Sequence, residues 1–300
     1  MTDTKWAFQR YESVRAELPT AEFPQTSLSG HDLRDTASDF DAYILDAFGV
    51  LNRGETAIDG AVERMAELRA LGKRLIVLTN AASYTRVEIL AKYHRLGFDF
   101  DASEVVSSRD VAFANLPILP SSKVWAAAAA QGDDFSDAPE AAQIAHLTDN
   151  PDLLNTAGGF LILSSARWRD ADTAALSKAL NDNPRPFIIA NPDLVAPRED
   201  GLSLEPGLFA HDIIAQTGVK AAFYGKPYGN AFEIALDRLT GIPRHRIAMV
   251  GDTLHTDVLG GAAAGIGTIL VTDHGLFRGH EVAPFIGKSA IRPDWIVKTT

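Results

Sequence analysis

The stretch Ala42-Tyr43-Ile44-Leu45-Asp46-Ala47-Phe48-Gly49-Val50 decides the fold. A short, unbroken apolar run ends at an acid, and a glycine suited to a turn follows closely. Apolar residues that do not alternate with polar ones suit a strand buried on both faces, the pattern of parallel sheets. The same kind of run recurs at Leu75–Leu78, Glu104–Val106, Phe160–Leu163, Phe187–Ala190, Ala221–Tyr224, Ile247–Val250, Thr268–Val271 and Trp295–Val297. Between them lie amphipathic helical patterns with glycine stops: Ala61–Leu71 before Gly72, Val87–Leu96 before Gly97, Leu208–Thr217 before Gly218, Ala231–Thr240 before Gly241 and Thr256–Ala264 before Gly265. Strand, helix with glycine stop, strand is the repeat of βαβ units, so the expected class is α/β with a mainly parallel sheet.

Composition narrows the function. The chain has 300 residues, 46% of them hydrophobic, a globular share that excludes wholesale disorder. The 28 basic residues face 39 acidic ones, net −11, which disfavours binding to a phosphate backbone. A small anionic substrate stays possible, because a divalent cation inverts the local field. The absence of cysteine excludes disulfides, thiolate zinc sites and cysteine nucleophiles. No apolar segment reads as a signal peptide or a membrane span, and the expectation is a cytoplasmic protein with no nucleic-acid or membrane partner.

Two shifts in composition suggest domain boundaries. Asn115–Asn155 contains Pro117, Pro120, Pro139 and Pro151, an acidic patch and the run Ala126–Ala130, which reads equally as helix or strand. Ala196–Pro206 brings two prolines, three acids and Gly201. The block between is long enough for a second domain. The expected division is 1–116, with 1–39 as an N-terminal extension, then 117–204, then 205–300. The pattern Trp6–Leu18 is compatible with an amphipathic helix packed on the core or with a partner contact.

In parallel α/β sheets ligands gather at the carboxyl ends of strands. Four such ends carry chemistry. Asp46 reads as a nucleophile, a metal ligand or an ordinary turn aspartate. Thr79 and Asn80 suit an anion or a helix cap. Lys226, in Gly225-Lys226-Pro227, is a site cation or a rim lysine. Asp252 and Asp257, in Gly251-Asp252-Thr253-Leu254-His255-Thr256-Asp257, suit a hard cation or an acidic helix start. Each is ambiguous alone. In the order Asp, Thr, Lys, Asp they form one chemical set of nucleophile, anion donor, cation and metal ligand.

This set resembles the four motifs of the haloacid dehalogenase (HAD) superfamily of hydrolases. The resemblance covers roughly Asp41 to Val297. The interval from Thr79 to Lys226 leaves room for an inserted α/β cap over a Rossmann-like core. Ala190-Asn191-Pro192-Asp193 and Glu205-Pro206-Gly207 resemble the NagD-like, p-nitrophenylphosphatase-type subgroup. The resemblance implies a phosphatase acting on a small phosphorylated metabolite, with Asp46 attacking phosphorus to form an aspartyl-phosphate. It implies Mg²⁺ held by the carboxylates of Asp46 and Asp252 and the backbone carbonyl of Phe48, with Asp257 acting through water or by orienting neighbours. Thr79 and the Asn80 amide would hold phosphoryl oxygens, Lys226 would neutralise the assembled anions, and Asp193 would lie near the substrate. It also implies a homodimer through the cap.

One departure stands out. Phosphatases of this superfamily carry a second Asp two positions after the nucleophile, which protonates the leaving oxygen; here that position is Phe48. General acid–base help is worth about 10²–10⁴-fold. Three readings follow: a phosphatase whose leaving group needs little protonation or in which another acid, His255 or Asp193, substitutes; a metal-independent haloacid dehalogenase; or a phospho-ligand-binding protein with slow or no turnover.

Overall fold

A computed structural model describes residues 2–300. The main sheet has seven parallel strands in the order Leu28–Ser29, Trp295–Val297, Gly267–Val271, Ile247–Gly251, Ala42–Leu45, Arg74–Thr79, Val105–Ser107. Ala42–Leu45 is the switch point: the chain goes first to one side of it, through Arg74–Thr79, and later returns to the other, through Ile247–Gly251. Both faces are covered. Tyr43 and Leu45 pack with Met65, Val77 and Val250, while Ala42 and Ile44 pack with Leu78, Phe232 and Met249. Two-sided burial is the physical reason the strand carries no polar residue.

A second parallel sheet has the order Ala221–Phe223, Phe187–Ile189, Gly159–Ile162, Trp125–Ala128, Ile144–His146. The alanine run resolves as a strand. Ala126 and Ala128 face a cluster with Phe160 and Leu176, and Trp125 and Ala127 face another with Leu161 and Leu163. Trp125 lies so close over Gly159 that a Cβ there would collide with its ring.

The expected boundary at 204/205 is corrected. The helix Pro206–Thr217 packs Ala210 and Ile213 into the core of the second sheet, and Ala221–Phe223 forms that sheet's edge. The composition shift at Ala196–Pro206 marks an antiparallel hairpin, Val195–Arg198 with Gly201–Leu204, within the insertion. The N-terminal segment packs on the core, one of the two readings of Trp6–Leu18. Leu28–Ser29 extends the main sheet beside Trp295–Ile296. The helix Thr4–Ser13, capped by the Asp3 side chain, buries Ala7, Phe8 and Tyr11 against Leu208, Leu254, Val258 and Phe277.

Candidate active site

Asp46 leaves the central strand at the switch point, where open α/β sheets place their ligands. One of its oxygens, Oδ1, accepts from the Ala47 amide at 2.7 Å and meets Lys226 Nζ at 2.5 Å. Lys226 is buried and reaches a second carboxylate, Asp257 Oδ1, at 2.7 Å. Burial alone would push this ammonium down, but the paired charges of Asp257 and Asp46 outweigh it and hold the proton on. Lys226 does not leave a strand of the main sheet, as its apolar lead-in suggested. Its lead-in, Ala221–Phe223, is the edge of the second sheet, and the lysine crosses from there to Asp46 at the end of the central strand.

Asp252 follows the neighbouring strand Ile247–Gly251. Its oxygens accept from Thr253 Oγ1 at 2.9 Å and from the Leu276 amide at 2.6 Å. Asp257 sits in a single π turn, Leu254–Val258, a feature frequent at functional sites. Its second oxygen takes the Thr253 amide at 3.0 Å, so Asp257 is engaged on both sides.

Asp46, Asp252 and Asp257 each offer an oxygen within 4.8 Å of the others. Of these three buried carboxylates, only Asp46 and Asp257 pair with Lys226. Burial first, and mutual repulsion with it, pushes Asp46 up to about 7 and Asp252 up to about 8. A hard divalent cation fits this set: all donors are oxygens, the local charge is too negative for Lys226 to balance, and the walls are glycine. A Cβ on Gly49 would come within 2.7 Å of Asp252, and one on Gly275 would collide with the same carboxylate. Among the described residues, Asp46 Oδ2 takes no hydrogen bond, while both oxygens of Asp252 accept one.

Thr79 closes the strand Arg74–Thr79, buried, with Oγ1 accepting from the Ala81 amide. The Asn80 side chain is a hub. Its Nδ2 donates to Asp193 Oδ1 at 2.8 Å and to the Lys226 carbonyl at 2.9 Å, and its Oδ1 accepts from the Lys226 amide at 2.8 Å. It therefore ties three sequence-distant segments, including Asp193 of the second domain, into one site. Asp193 is held well above the usual carboxylate range, first by burial, against the opposing pull of Lys226 and with added repulsion from Asp46.

His255 is the expectation the structure overturns. Although it lies within the fourth motif, its Nε2 meets Glu12 Oε1 at 2.5 Å, and its ring stacks on Tyr11. Burial pushes it down to about 4 despite Glu12. It docks the N-terminal helix and stands outside the catalytic cluster. Arg167 and Arg169 pair with Asp149 and Asp172 at the surface and take no part.

Above these residues lies a cavity of about 280 Å³ between the two domains, lined among others by Phe48, Tyr84, Ser164, Asn191, Asp193 and Arg198. The Phe48 ring stands between two cations, Lys92 Nζ at 5.0 Å and Arg198 Cζ at 4.9 Å from its centroid. Lys92 belongs to the first domain and Arg198 to the inserted hairpin, so Phe48 joins them through its π face. Neither cation was visible as a site residue in the sequence, because each reaches Phe48 only through packing between distant segments.

A family model described as haloacid dehalogenase-like hydrolase matches residues 43–137, and one described as HAD-hydrolase-like matches 223–300. The chain is 30% identical to human glycerol-3-phosphate phosphatase over 295 residues, covering 90% of this chain and 92% of that protein. Among solved structures, a possible sugar phosphatase of the HAD superfamily from Cytophaga hutchinsonii superposes with a TM-score of 0.79 at 23% identity, over 91% of this chain and 98% of that one. The glycerol phosphate phosphatase of Mycobacterium tuberculosis in complex with magnesium gives 0.66 at 23% identity, over 87% and 75%. With these similarities spanning both halves of the site, the chain belongs to the haloacid dehalogenase-like hydrolases.

Proposed function

We propose that the protein is a Mg²⁺-dependent phosphatase that hydrolyses a small phosphorylated metabolite through an aspartyl-phosphate on Asp46. The observation that carries this reading is the position of Asp46: at the switch point, in contact with Lys226 and grouped with Asp252 and Asp257. The phosphatase activity of the 30%-identical human relative and the magnesium complex of the mycobacterial one support it.

Asp46 supplies the attacking oxygen. The phosphoryl group then lies against Thr79 Oγ1 and the Asn80 amide at the neighbouring strand end. Lys226 lets two anions meet in a dry site, where their repulsion would otherwise be prohibitive. Asp257 holds Lys226 in line from behind. The carboxylates of Asp46 and Asp252, with the Phe48 backbone carbonyl, would hold Mg²⁺. When bound, the cation supplies charge neutralisation and orients phosphoryl oxygens. The interdomain cavity takes the leaving group. The grouped carboxylates count against the metal-independent dehalogenase reading.

The test is phosphate release across a panel of phosphomonoesters, with and without Mg²⁺, in wild type and Asp46→Asn. Mg²⁺-dependent release that disappears in Asp46→Asn is expected. Halide release without metal, or undiminished phosphate release from Asp46→Asn, would overturn the proposal.

A further inference from the structure

Breaking an alkyl phosphate ester leaves an alkoxide unless a proton arrives as the bond opens. Phe48 transfers none. The other ionisable groups around the cavity are each committed. Asp257 is engaged through both oxygens, and Lys226 is shared between two carboxylates. Glu205 is held by Arg198, Ser203 and Asn191. Tyr84 donates to Glu55, and His255 faces Glu12. Asp193 is the exception. Its Oδ1 takes the Asn80 amide nitrogen, and among the described residues nothing hydrogen-bonds its Oδ2. It lines the same cavity wall as Phe48.

We propose that Asp193 is the general acid for the leaving oxygen, replacing from the second domain the carboxyl that is missing at Phe48; this rests on the phosphatase reading. The loop bearing it is fixed at every backbone group near the carboxyl. The Asp193 amide donates to Asn191 Oδ1 at 3.0 Å, its carbonyl accepts from Gly207 at 3.0 Å, and the next amide, Leu194, donates to Tyr11 Oη at 3.1 Å. Gly207 packs so tightly on the Pro192 carbonyl that a Cβ would collide with it. Through Asn80 the carboxyl is tied to the backbone of Lys226, whose ammonium touches the nucleophile. The charged groups facing it are Lys226, Asp46 and Asp257; burial first, with repulsion from the two carboxylates, raises this carboxyl above its ordinary range against the pull of Lys226.

The bookkeeping of the step closes. Asp46 forms an O–P bond, the P–O bond to the leaving group breaks, and the departing electron pair takes the proton of Asp193, giving an alcohol and a carboxylate. Water then attacks phosphorus, Asp193 accepts its proton, and inorganic phosphate leaves with Asp46 and protonated Asp193 restored.

The experiment compares Asp193→Asn with wild type on an alkyl phosphate and on p-nitrophenyl phosphate, whose phenolate departs without a proton. The expected loss in kcat/KM is about 10²–10⁴-fold on the alkyl ester and roughly tenfold or less on the aryl ester. Asp193→Glu, which keeps a carboxyl, is expected to recover the alkyl ester preferentially. Equal loss on both esters with no preferential recovery in Asp193→Glu overturns the assignment, as does an alkyl rate unchanged in Asp193→Asn. Wild-type turnover of p-nitrophenyl phosphate separates the two claims. If Mg²⁺-dependent release is absent there, the phosphatase reading fails; if it is present and the ester-selective loss is absent, only the role of Asp193 fails.

Discussion

Replacing Lys226 with Met removes the only cation that, among the described residues, touches Asp46 and Asp257, while leaving the volume nearly filled. The ammonium is 1% exposed and lies 2.5 Å and 2.7 Å from the two carboxylates. Removing one partner of a buried ion pair costs about 3–5 kcal/mol, because an uncompensated charge remains. Here the cost has a ceiling that depends on pH. Asp46 is already pushed up to about 7 with its lysine present, and without it the carboxyl rises further and takes a proton. A carboxyl whose folded-state value exceeds its unfolded value leaves the native state holding more protons. Stability is then greatest below about 4 and falls as pH rises through the folded value. The Lys226→Met penalty is therefore expected to be near the full 3–5 kcal/mol at pH 8 and less than half that at pH 5. The assay is urea denaturation of both proteins in chelator at the two pH values. A penalty that does not change with pH, or one under about 1 kcal/mol at pH 8, would refute the reasoning that the lysine chiefly balances buried carboxylates.

Two further outcomes follow from the same geometry. Mg²⁺ is expected to raise the thermal midpoint more at pH 8 than at pH 5, since Asp46 and Asp252, lifted to about 7 and about 8, must shed protons to bind it; equal shifts by scanning fluorimetry would remove these carboxylates as ligands. Tyr11→Phe leaves the Leu194 amide without its partner and is expected to lose about 1–3 kcal/mol in chemical denaturation, with unchanged stability showing that the N-terminal helix does not restrain this loop.

The motif residues were legible because a strand end is a local feature. An apolar run followed by Asp46, Thr79 or Asp252 encodes both the strand and the point where the chain leaves it. Lys226 shows the limit of that signal. Its apolar lead-in reads as a strand, which it is, but sheet membership depends on which edge stands open to receive it, here that of Phe187–Ile189. The early boundary at 204/205 has the same cause, since a turn-rich hairpin inside a domain and a linker between domains share one composition.

His255 and Asp193 divide on the direction of their side chains. Both lie beside motif residues in the sequence. A π turn aims His255 at the N-terminal helix, while a loop fastened by Asn80, Gly207 and Tyr11 holds Asp193 in the cavity. By itself the amino-acid sequence determined the parallel α/β class and singled out Asp46, Lys226, Asp252 and Asp257, because each is written as a polar residue following a buried run. Only the tertiary structure decided which sheet delivers Lys226, what covers His255, and that Asp193 shares a cavity with Phe48, because these depend on contacts between segments distant in the sequence, formed only when the chain folds.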